Sequence, residues 1–147
     1  MKIIVNNKKS SFLYHFLSKY EAGIQLKGSE VKAIREGNVN IKESYVRIKN
    51  YEMFIIGMHI GEYSHIGYSS HDPMREKKLL MHKSEIYKIN KEFENKGKTL
   101  IPIKLYFKDD KIKIQIALAK GKKNWDKRES KKLKDIDREI KRSMKGN

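Results

Sequence analysis

Apolar and polar residues alternate most regularly between positions 101 and 119 of the chain. The runs 101–107 and 112–118 place an apolar side chain at every second position, which is the period of a half-buried β-strand. The polar residues 108–111 between them suit a tight turn. Pro102 is expected at a strand entry or a sheet edge, because proline cannot donate a ladder hydrogen bond. The pattern predicts a β-hairpin whose apolar face is formed by Ile101, Ile103, Leu105, Phe107, Ile112, Ile114, Ile116 and Leu118.

Residues upstream of this hairpin carry the same strand signal in a less regular form. Runs rich in β-branched and aromatic residues predict strands over 39–49 and 51–60, with a β-bulge near Glu43-Ser44 where the apolar phase slips. Two further strands are predicted over 12–20 and 22–27. So many strands in a short chain predict a mainly β fold, in which a closed or partly closed barrel removes exposed edges.

Two segments have the spacing of amphipathic helices instead. The first is Ser29 to Glu36, with Ser29 as the expected N-cap and Gly37 just past the C-terminal end. The second is Lys83 to Lys96, where apolar residues recur at helical spacing. Residues 61–73 have no periodicity and are expected to form an exposed loop.

The chain has a large excess of positive charge, which indicates a polyanionic partner. The 147 residues carry 34 Lys and Arg against 18 Asp and Glu, a formal net charge of +16. More than half of that excess belongs to residues 1–119, so the charge is not confined to one terminus. A basic surface on a folded domain favours nucleic acid as the partner, with an anionic membrane surface as the second alternative.

The C-terminal segment, residues 120–147, is expected to be a basic tail outside the barrel formed by residues 1–119. It holds twelve Lys and Arg against five Asp and Glu, with one tryptophan, Trp125, in the cationic run. A cationic chain with a flat aromatic side chain suits phosphates and a stacked base, although a solvated tail that only aids solubility is the plainer alternative. The tail has the spacing of a basic helix with few apolar residues, and a helix of this kind is marginally stable alone. We therefore expect the tail to be disordered until it binds a partner and becomes helical. Its apolar positions form a narrow stripe: Leu133, Ile136, Ile140 and Met144.

Several classes of protein are disfavoured by what the sequence lacks. It has no cysteine, no apolar run near the ~20 residues that span a bilayer, and no secretory signal pattern, so a cytoplasmic protein is expected. His71-Asp72 and Asp109-Asp110 lack the spacing of a metal site or a catalytic triad. We therefore expect no enzyme activity, no cofactor and no metal.

Short motifs in order along the chain resemble those of the SsrA-binding protein family, also called small protein B. The longest motif is YEAGIQLKGSEVKAIR at positions 20–35. Each of the others is weak alone, whereas the ordered set covers nearly the whole chain. These others are Ser44-Tyr45-Val46, His71-Asp72-Pro73, Lys78-Leu79-Leu80, the segment 117–123, and Asp126-Lys127-Arg128.

The resemblance implies an OB-like β-barrel that binds the tRNA-like domain of transfer-messenger RNA. Members of this family deliver that RNA, with elongation factor Tu, to stalled ribosomes for trans-translation, which rescues the ribosome and tags the nascent peptide. Their basic tail is thought to contact small-subunit RNA at the decoding centre and in the vacant mRNA channel. The resemblance thus implies RNA partners, a monomeric protein and no membrane. A ribosomal or assembly protein remains the alternative among RNA-binding proteins.

Three residues occupy positions that the family associates with RNA contact: Glu21, Leu80 and Lys113. A carboxylate can accept a hydrogen bond from a base amine, and a leucine can pack against an exposed base. The plainer alternatives are a barrel salt bridge for Glu21 and core packing for Leu80. Lys78, in the same motif as Leu80, is expected to contact RNA as well.

Further basic and aromatic residues are candidates for the same RNA surface. Aromatic rings can stack on splayed bases, although Tyr45 could equally belong to the core. Lys32 and Arg35 lie three residues apart on one predicted helix and could contact successive phosphates. The remaining candidates on the barrel are Asn7, Lys8, Lys9 and Tyr14.

The first residues of the tail are the candidates for contact with the ribosome. Trp125 stands where the family often has a histidine or a tyrosine, and an indole stacks at least as well. Asp126 is expected to orient a neighbouring cation or to cap a following helix. The surrounding candidates are Lys120, Gly121, Lys122, Lys123, Lys127 and Arg128.

Overall fold

The computed structural model of the chain describes residues 1–62, 71–93 and 97–123, and Arg128, Lys131, Asp135, Ile136 and Arg138 beyond them. The described residues up to position 123 form nine strands and three helices. The strands are β1 Lys2–Asn6, β2 Tyr14–Ile24, β3 Val39–Asn40, β4 Tyr45–Lys49, β5 Glu52–Ile56, β6 His59–Ile60, β7 Lys77–Leu80, β8 Lys98–Lys108 and β9 Lys111–Gly121. The helices are α1 Lys8–Leu13, α2 Gly28–Arg35 and α3 Lys83–Phe93.

The main sheet closes on itself, which confirms the expected mainly β, OB-like barrel. Its strand order is β1-β8-β4-β5-β7-β2-β9, and an additional pairing of β8 with β9 completes a ring of six antiparallel strands. β1 lies outside this ring and pairs with β8, while β3 and β6 form a separate two-stranded sheet. Each strand of the ring has a neighbour on both sides, and β7 pairs with β2 at Gly23 and Ile24.

The hairpin predicted from the alternating pattern is present and longer than expected. β8 and β9 pair from Lys98↔Lys120 to Lys108↔Lys111, and Asp109 and Asp110 both have positive φ, as a two-residue type I′ turn requires. Pro102 is not at an edge but inside β8, beside a bulge that shifts the register between Pro102 and Lys104. β2 has a similar bulge between Phe16 and Ser18, whereas β9 between them is regular.

Several predicted strands have different bounds in the structure. Residues 12–20 and 22–27 do not form two strands, because one strand, β2, runs from Tyr14 to Ile24 after helix α1. The segment 39–49 is not one bulged strand: it is broken by a turn at Lys42-Glu43, and its halves belong to different sheets. The segment 51–60 is broken at Gly57, whose φ of 82° ends the extended conformation.

Both predicted helices are present. α2 ends before Gly37 as expected, but its N-cap is Lys27 rather than Ser29. The Glu30 carboxylate accepts a hydrogen bond of 2.7 Å from the Lys27 amide. Ser29 is buried inside the helix, where its hydroxyl lies 2.9 Å from the His71 imidazole.

The end of the second predicted helix and the middle of the predicted loop lie outside the described residues. α3 is described to Phe93, and positions 94–96 of the predicted helix lie outside the described residues. In the predicted loop, the described positions 61–62 and 71–73 form neither helix nor strand. None of the described helices is long and apolar enough to cross a membrane.

The larger of two apolar clusters among the described residues fills the barrel, and α2 and α3 contribute to it. Fully buried residues come from neighbouring strands and also from α2 and α3. α3 packs against β5 and β8, while α2 packs against β6. The core is formed by Ala33, Ile34, Ile41, Val46, Met53, Ile55, Leu79, Ile86, Ile89, Leu100, Leu105, Ile114, Ile116 and Leu118, among others.

A cluster of charged residues is buried where α2 meets the start of β7. Glu30 is fully buried and accepts two hydrogen bonds from Arg75, of 2.6 and 3.1 Å. Burial alone would raise the pKa of Glu30, but its bonds to Arg75 and to the Lys27 amide outweigh burial and lower it. Lys77 is also fully buried, and its ammonium donates a hydrogen bond of 2.8 Å to the Met58 carbonyl. This cluster joins α2 to β7, the two elements that carry several of the candidate RNA-binding residues.

Lys77 should make stability depend on pH in the alkaline range. Burial, with the nearby Arg75, lowers the pKa of Lys77 from 10.5 to about 8, against the opposing charges of Glu30 and Asp72. Between those two values the unfolded chain binds a proton that the native protein does not, so the free energy of unfolding should rise with pH. Urea titrations from pH 7.5 to 10.5 should show this rise in the wild type and lack it in Lys77→Met. Parallel curves for the two proteins would contradict the assignment.

Candidate RNA interface

Three of the candidate residues converge on the outer face of the barrel. Gly23 of β2 pairs with Leu80 of β7 on one side and with Lys113 of β9 on the other. Glu21 lies two residues earlier on β2, on the same face as Gly23 because side chains alternate along a strand. Glu21, Leu80 and Lys113 line one open cavity of about 420 Å³. We call these three residues, with the floor at Gly23, the first surface.

Gly23 permits the close approach of its two neighbours. A β-carbon at position 23 would lie 3.3 Å from the Leu80 β-carbon and 3.7 Å from the Lys113 ammonium. The first of these distances is tighter than ordinary packing, so any side chain here would push Leu80 outward. The apolar side chain and the ammonium can therefore stand next to each other above a floor of bare backbone.

The Glu21 carboxylate is held in its ionised form. It accepts a short hydrogen bond from the Tyr106 hydroxyl, and the Lys108 ammonium lies 3.4 Å from its other oxygen. The Tyr106 bond, aided by Lys108 and Lys113, lowers the pKa of Glu21 against the opposing effect of burial. Burial and the adjacent carboxylate in turn raise the pKa of Tyr106. The salt bridge considered for Glu21 is thus present, yet the carboxylate remains partly exposed and can accept further hydrogen bonds.

Leu80 is not a core residue. Its side chain is 51% exposed, whereas Leu79 beside it is 1% exposed and belongs to the core. The alternation along β7 places Lys78 and Leu80 outward and Lys77 and Leu79 inward. Lys78 is therefore on the same outer face as Leu80, where its ammonium lies 3.6 Å from the Glu52 carboxylate. An exposed leucine among lysines is suited to packing against a base.

Basic residues extend the first surface toward the β8–β9 turn. Arg35 of α2 and Lys111 of β9 line a second cavity of about 300 Å³, which also includes Leu80 and Lys113. Lys32 is partly buried one turn earlier in α2 and is not among the residues lining this cavity. Of the predicted helix pair, the structure therefore brings Arg35, and not Lys32, to the first surface.

The other barrel candidates form a separate site, which we call the second surface. Asn7, Lys9, Tyr14 and Tyr45 line a cavity of about 380 Å³. Lys8 is exposed on α1 but does not line it. The structure separates this site from the first surface, because Tyr14 and Glu21 lie on the single strand β2 opposite Gly121 and Gln115 of β9, about 20 Å apart at ~3.4 Å per residue.

Two features of the second surface are typical of a binding site. Tyr45 is 46% exposed, so it is not the core tyrosine considered as an alternative. Asn7 is 6% exposed, and its amide nitrogen donates to the Pro102 carbonyl at 3.1 Å. Its side-chain oxygen is buried without a hydrogen-bond partner among the described residues. A buried acceptor left unpaired is costly unless a ligand or water completes it.

The beginning of the predicted tail is anchored beside the second surface. Lys120 and Gly121 belong to β9, since they pair with His15 and Tyr14 of β2. The Lys122 amide donates to the Leu13 carbonyl and its ammonium to the Ser11 carbonyl, both at 2.8 Å. Lys123 is exposed. The chain therefore leaves the barrel next to α1.

Only part of the tail's candidate site is described. Trp125, Asp126 and Lys127 lie outside the described residues, whereas Arg128 is helical and exposed. Lys131, Asp135, Ile136 and Arg138 are also helical and exposed. Of the predicted apolar stripe, Ile136 is the described member, and it is 44% exposed.

Sequence reasoning missed the residues that support Glu21. Tyr106 and Lys108 lie 85 and 87 positions away from it in the chain. The available signal was Tyr106 itself, an aromatic residue among lysines on the polar face of the hairpin. Its role depends on how β2 and β8 flank β9, which local patterns do not reveal. Among the described residues, no group of three His, Asp or Glu side chains is arranged to hold a metal ion.

Comparisons with known proteins agree with this architecture. A sequence model described as SmpB protein matches residues 4–146. The SsrA-binding protein of Persephonella marina is 49% identical over 146 residues, covering 99% of this chain and 96% of that protein. The SsrA-binding protein of Carboxydothermus hydrogenoformans is 50% identical over 143 residues, covering 97% and 96%.

A solved structure gives the same result in three dimensions. It is described as "tmRNA-SmpB: a journey to the center of the bacterial ribosome" and is similar to this chain with a TM-score of 0.68. The two chains are 39% identical, and the match covers 82% of this chain and 85% of the other. Family match, relatives and fold agree along nearly the whole chain, and the protein belongs to the SmpB family of SsrA-binding proteins.

Proposed function

We propose that this protein binds transfer-messenger RNA and brings it to stalled ribosomes for trans-translation. Its relatives are named as SsrA-binding proteins, and the similar solved structure is of tmRNA-SmpB and the ribosome. The net charge of +16 suits a protein that neutralises phosphates on one RNA or two. The protein holds RNA in position and performs no chemistry of its own.

The first surface is the proposed site for the tRNA-like domain. The observation that carries this proposal is the convergence of Glu21, Leu80 and Lys113 from three strands on one exposed cavity. The three side chains offer an ionised acceptor, an apolar contact and an ammonium, which together can bind a base edge, a base face and a phosphate. Arg35 and Lys78 add positive charge for the flanking backbone.

The second surface and the tail are the proposed contacts with the ribosome. The chain leaves the barrel beside α1, so a tail that enters the mRNA channel brings Asn7, Lys8, Lys9, Tyr14 and Tyr45 toward small-subunit RNA. Trp125 would stack on that RNA, and the cations around it would contact phosphates. In this proposal residues 120–147 act as the segment that reads the decoding centre and the vacant channel.

The proposal has consequences for the other partners. Elongation factor Tu would meet the protein through the shared RNA, and one copy of the protein would suffice for each RNA. The site of action is the cytoplasm, where stalled ribosomes are found. No membrane, metal or cofactor has a part in it.

A competition experiment tests the proposed function directly. Labelled transfer-messenger RNA is bound to the full-length protein at moderate salt, and bulk tRNA or a fragment of small-subunit RNA is added as competitor. We expect neither competitor to displace the RNA at concentrations where unlabelled tRNA-like domain does. Equal competition by all three would reduce the protein to a generic basic RNA binder and overturn the proposal.

Replacing Glu21 should weaken RNA binding even though it removes a negative charge. Glu21→Gln keeps an acceptor for the Tyr106 hydroxyl but loses the ionised oxygen offered to RNA, so affinity for the tRNA-like domain should fall about tenfold or more. Glu76→Gln is the matched control: the same change at an exposed carboxylate 3.0 Å from Arg47 should leave affinity unchanged or slightly higher. Equal behaviour of the two variants in filter binding would show that Glu21 acts only through its charge.

A further inference from the structure

Two exposed tyrosines meet at a place that the first and second surfaces do not include. Tyr51, in the turn between β4 and β5, is 50% exposed, and Tyr87 on α3 is 47% exposed. Their ring centroids are 5.9 Å apart, with the planes tilted by 33°. Both line an open cavity of about 670 Å³, which is large enough for a nucleobase. We call Tyr51 and Tyr87 with the lysines around them the tyrosine surface.

The backbone at Tyr51 is unusual for an aromatic residue. Asn50 and Tyr51 have φ values of 53° and 58°, as in a type I′ turn. Glycine is the residue that occupies the second position of such a turn without strain, and a bulky side chain there costs backbone energy. The turn itself therefore does not explain the presence of this tyrosine, whereas a contact made by its exposed ring does.

Positive charge surrounds the two rings. Lys83 and Lys88 line the same cavity, and the Lys91 ammonium lies 4.5 Å from the centre of the Tyr87 ring. Among the described residues that line the cavity, Glu52 is the one with a carboxylate, and it is already paired with Lys78 at 3.6 Å. Exposed rings with cations beside them have the chemistry of a site for a stacked base and its phosphates.

The tyrosine surface is continuous with the first surface. A smaller groove of about 170 Å³ beside β7 is lined by Tyr51 and Lys83 of the tyrosine surface and by Lys78 and Leu80 of the outer face of β7. An RNA strand on Leu80 and Lys78 would therefore reach the two rings without leaving the protein. This continuity and the surrounding lysines favour a polyanion such as RNA over a protein as the ligand of the tyrosine surface.

We propose that the tyrosine surface is an additional RNA-binding site, where an unpaired base of the bound RNA stacks on Tyr51 and Tyr87 while Lys83 and Lys88 contact its phosphates. The inference rests on the proposed function, because the RNA that reaches this site is the one held by the first surface. Its ligand is a single-stranded or looped-out nucleotide, since a base within a duplex does not expose its face for stacking on the rings.

The test uses variants that should fold at least as well as the wild type. Tyr51→Gly places the preferred residue at a position with positive φ, and Tyr87→Ala raises helix propensity on an exposed helix face. The affinity of the full-length double variant for the tRNA-like domain of transfer-messenger RNA should fall about five- to 100-fold, as expected for the loss of one stacked base. Tyr51→Phe with Tyr87→Phe, which keeps both rings, should bind within twofold of the wild type.

Leu80→Ala distinguishes failure of this inference from failure of the proposed function. If Leu80→Ala loses affinity and the tyrosine double variant does not, the tyrosine surface does not bind RNA while the first surface stands. If neither loses affinity, the first surface is also wrong. Unchanged RNA affinity with reduced peptide tagging in the double variant would assign the rings to a protein partner instead.

Photo-crosslinking adds a readout of position. Transfer-messenger RNA carrying 4-thiouridine is irradiated with the wild-type protein, and crosslinked peptides are identified by mass spectrometry. We expect crosslinks in the peptides that contain Tyr51 or Tyr87. Crosslinks confined to peptides of the first surface would overturn the proposal.

Discussion

Alanine at Trp125, Lys127 and Arg128 together should abolish peptide tagging while leaving the tRNA-like domain bound. The three side chains belong to the tail, whereas the first surface lies at the opposite end of β9 from the point where the tail begins. Loss of one stacked base and two phosphate contacts corresponds to several kcal/mol on the ribosome, enough to stop productive entry. On the isolated RNA the same change should cost less than about threefold in affinity, through the lost charge alone.

The measurement pairs filter binding with tagging of a nascent chain on ribosomes stalled on a message without a stop codon. The control replaces the same positions conservatively, with Trp125→Tyr, Lys127→Arg and Arg128→Lys, and should retain most of the tagging. A large loss of affinity for the tRNA-like domain in the alanine variant would contradict the division between barrel and tail. Normal tagging by the alanine variant would remove the tail from the mechanism.

Arg75→Met should destabilise the protein by about 3–5 kcal/mol, because it leaves the buried Glu30 carboxylate without the guanidinium that pairs with it. Glu30 is fully buried and receives two hydrogen bonds from the Arg75 guanidinium. The same guanidinium also donates to the Gln25 carbonyl at 3.2 Å. Arg47→Met is the matched control: its ion pair with Glu76 is about half exposed on both sides and should cost less than about 1 kcal/mol.

The deficit of Arg75→Met should shrink as the pH falls. In the wild type the pKa of Glu30 is lower in the folded protein than its ordinary value of 4.5. This difference stabilises the protein at pH values above 4.5, and the stabilisation is lost as the pH falls through the pKa of the folded protein. In the variant, burial without Arg75 should raise the pKa of Glu30, so acid protonates the carboxylate and relieves the penalty. Urea unfolding at pH 4, 5.5 and 7 measures the difference. A deficit that is constant with pH would show that Arg75 stabilises the protein through packing alone.

The local elements of the fold could be predicted because their signals are short in range. The β8–β9 hairpin follows from strict alternation around a polar turn, and α2 ends at Gly37 as its sequence indicates. The Glu30–Arg75 pair could not be found in this way, since 45 residues separate its partners. Ser29 is assigned wrongly for the same reason: its hydroxyl lies against His71, a distant residue, and not against the helix terminus.

The placement of Tyr14 relative to Glu21 could not be predicted from the sequence. The pattern predicts two strands over 12–20 and 22–27, which leaves the distance between these two residues undefined. In the structure β2 is a single strand, and its length separates those two residues. The exposure of Leu80 could not be predicted either. Alternation along β7 does not show which side of the strand faces the core until the neighbouring strands are known.

The regularity of β9 has a geometric consequence for the whole complex. Both of its neighbours carry the bulges, so the eight steps from Lys113 to Gly121 form an uninterrupted extended segment of about 27 Å. Bonded along both sides within a closed barrel, this segment cannot bend or lengthen as a loop could. In the proposed function, the barrel would therefore act as a spacer of constant length between RNA bound at the first surface and the origin of the tail. Every delivery would start the tail from the same point, so that only the occupancy of the channel varies from one ribosome to the next.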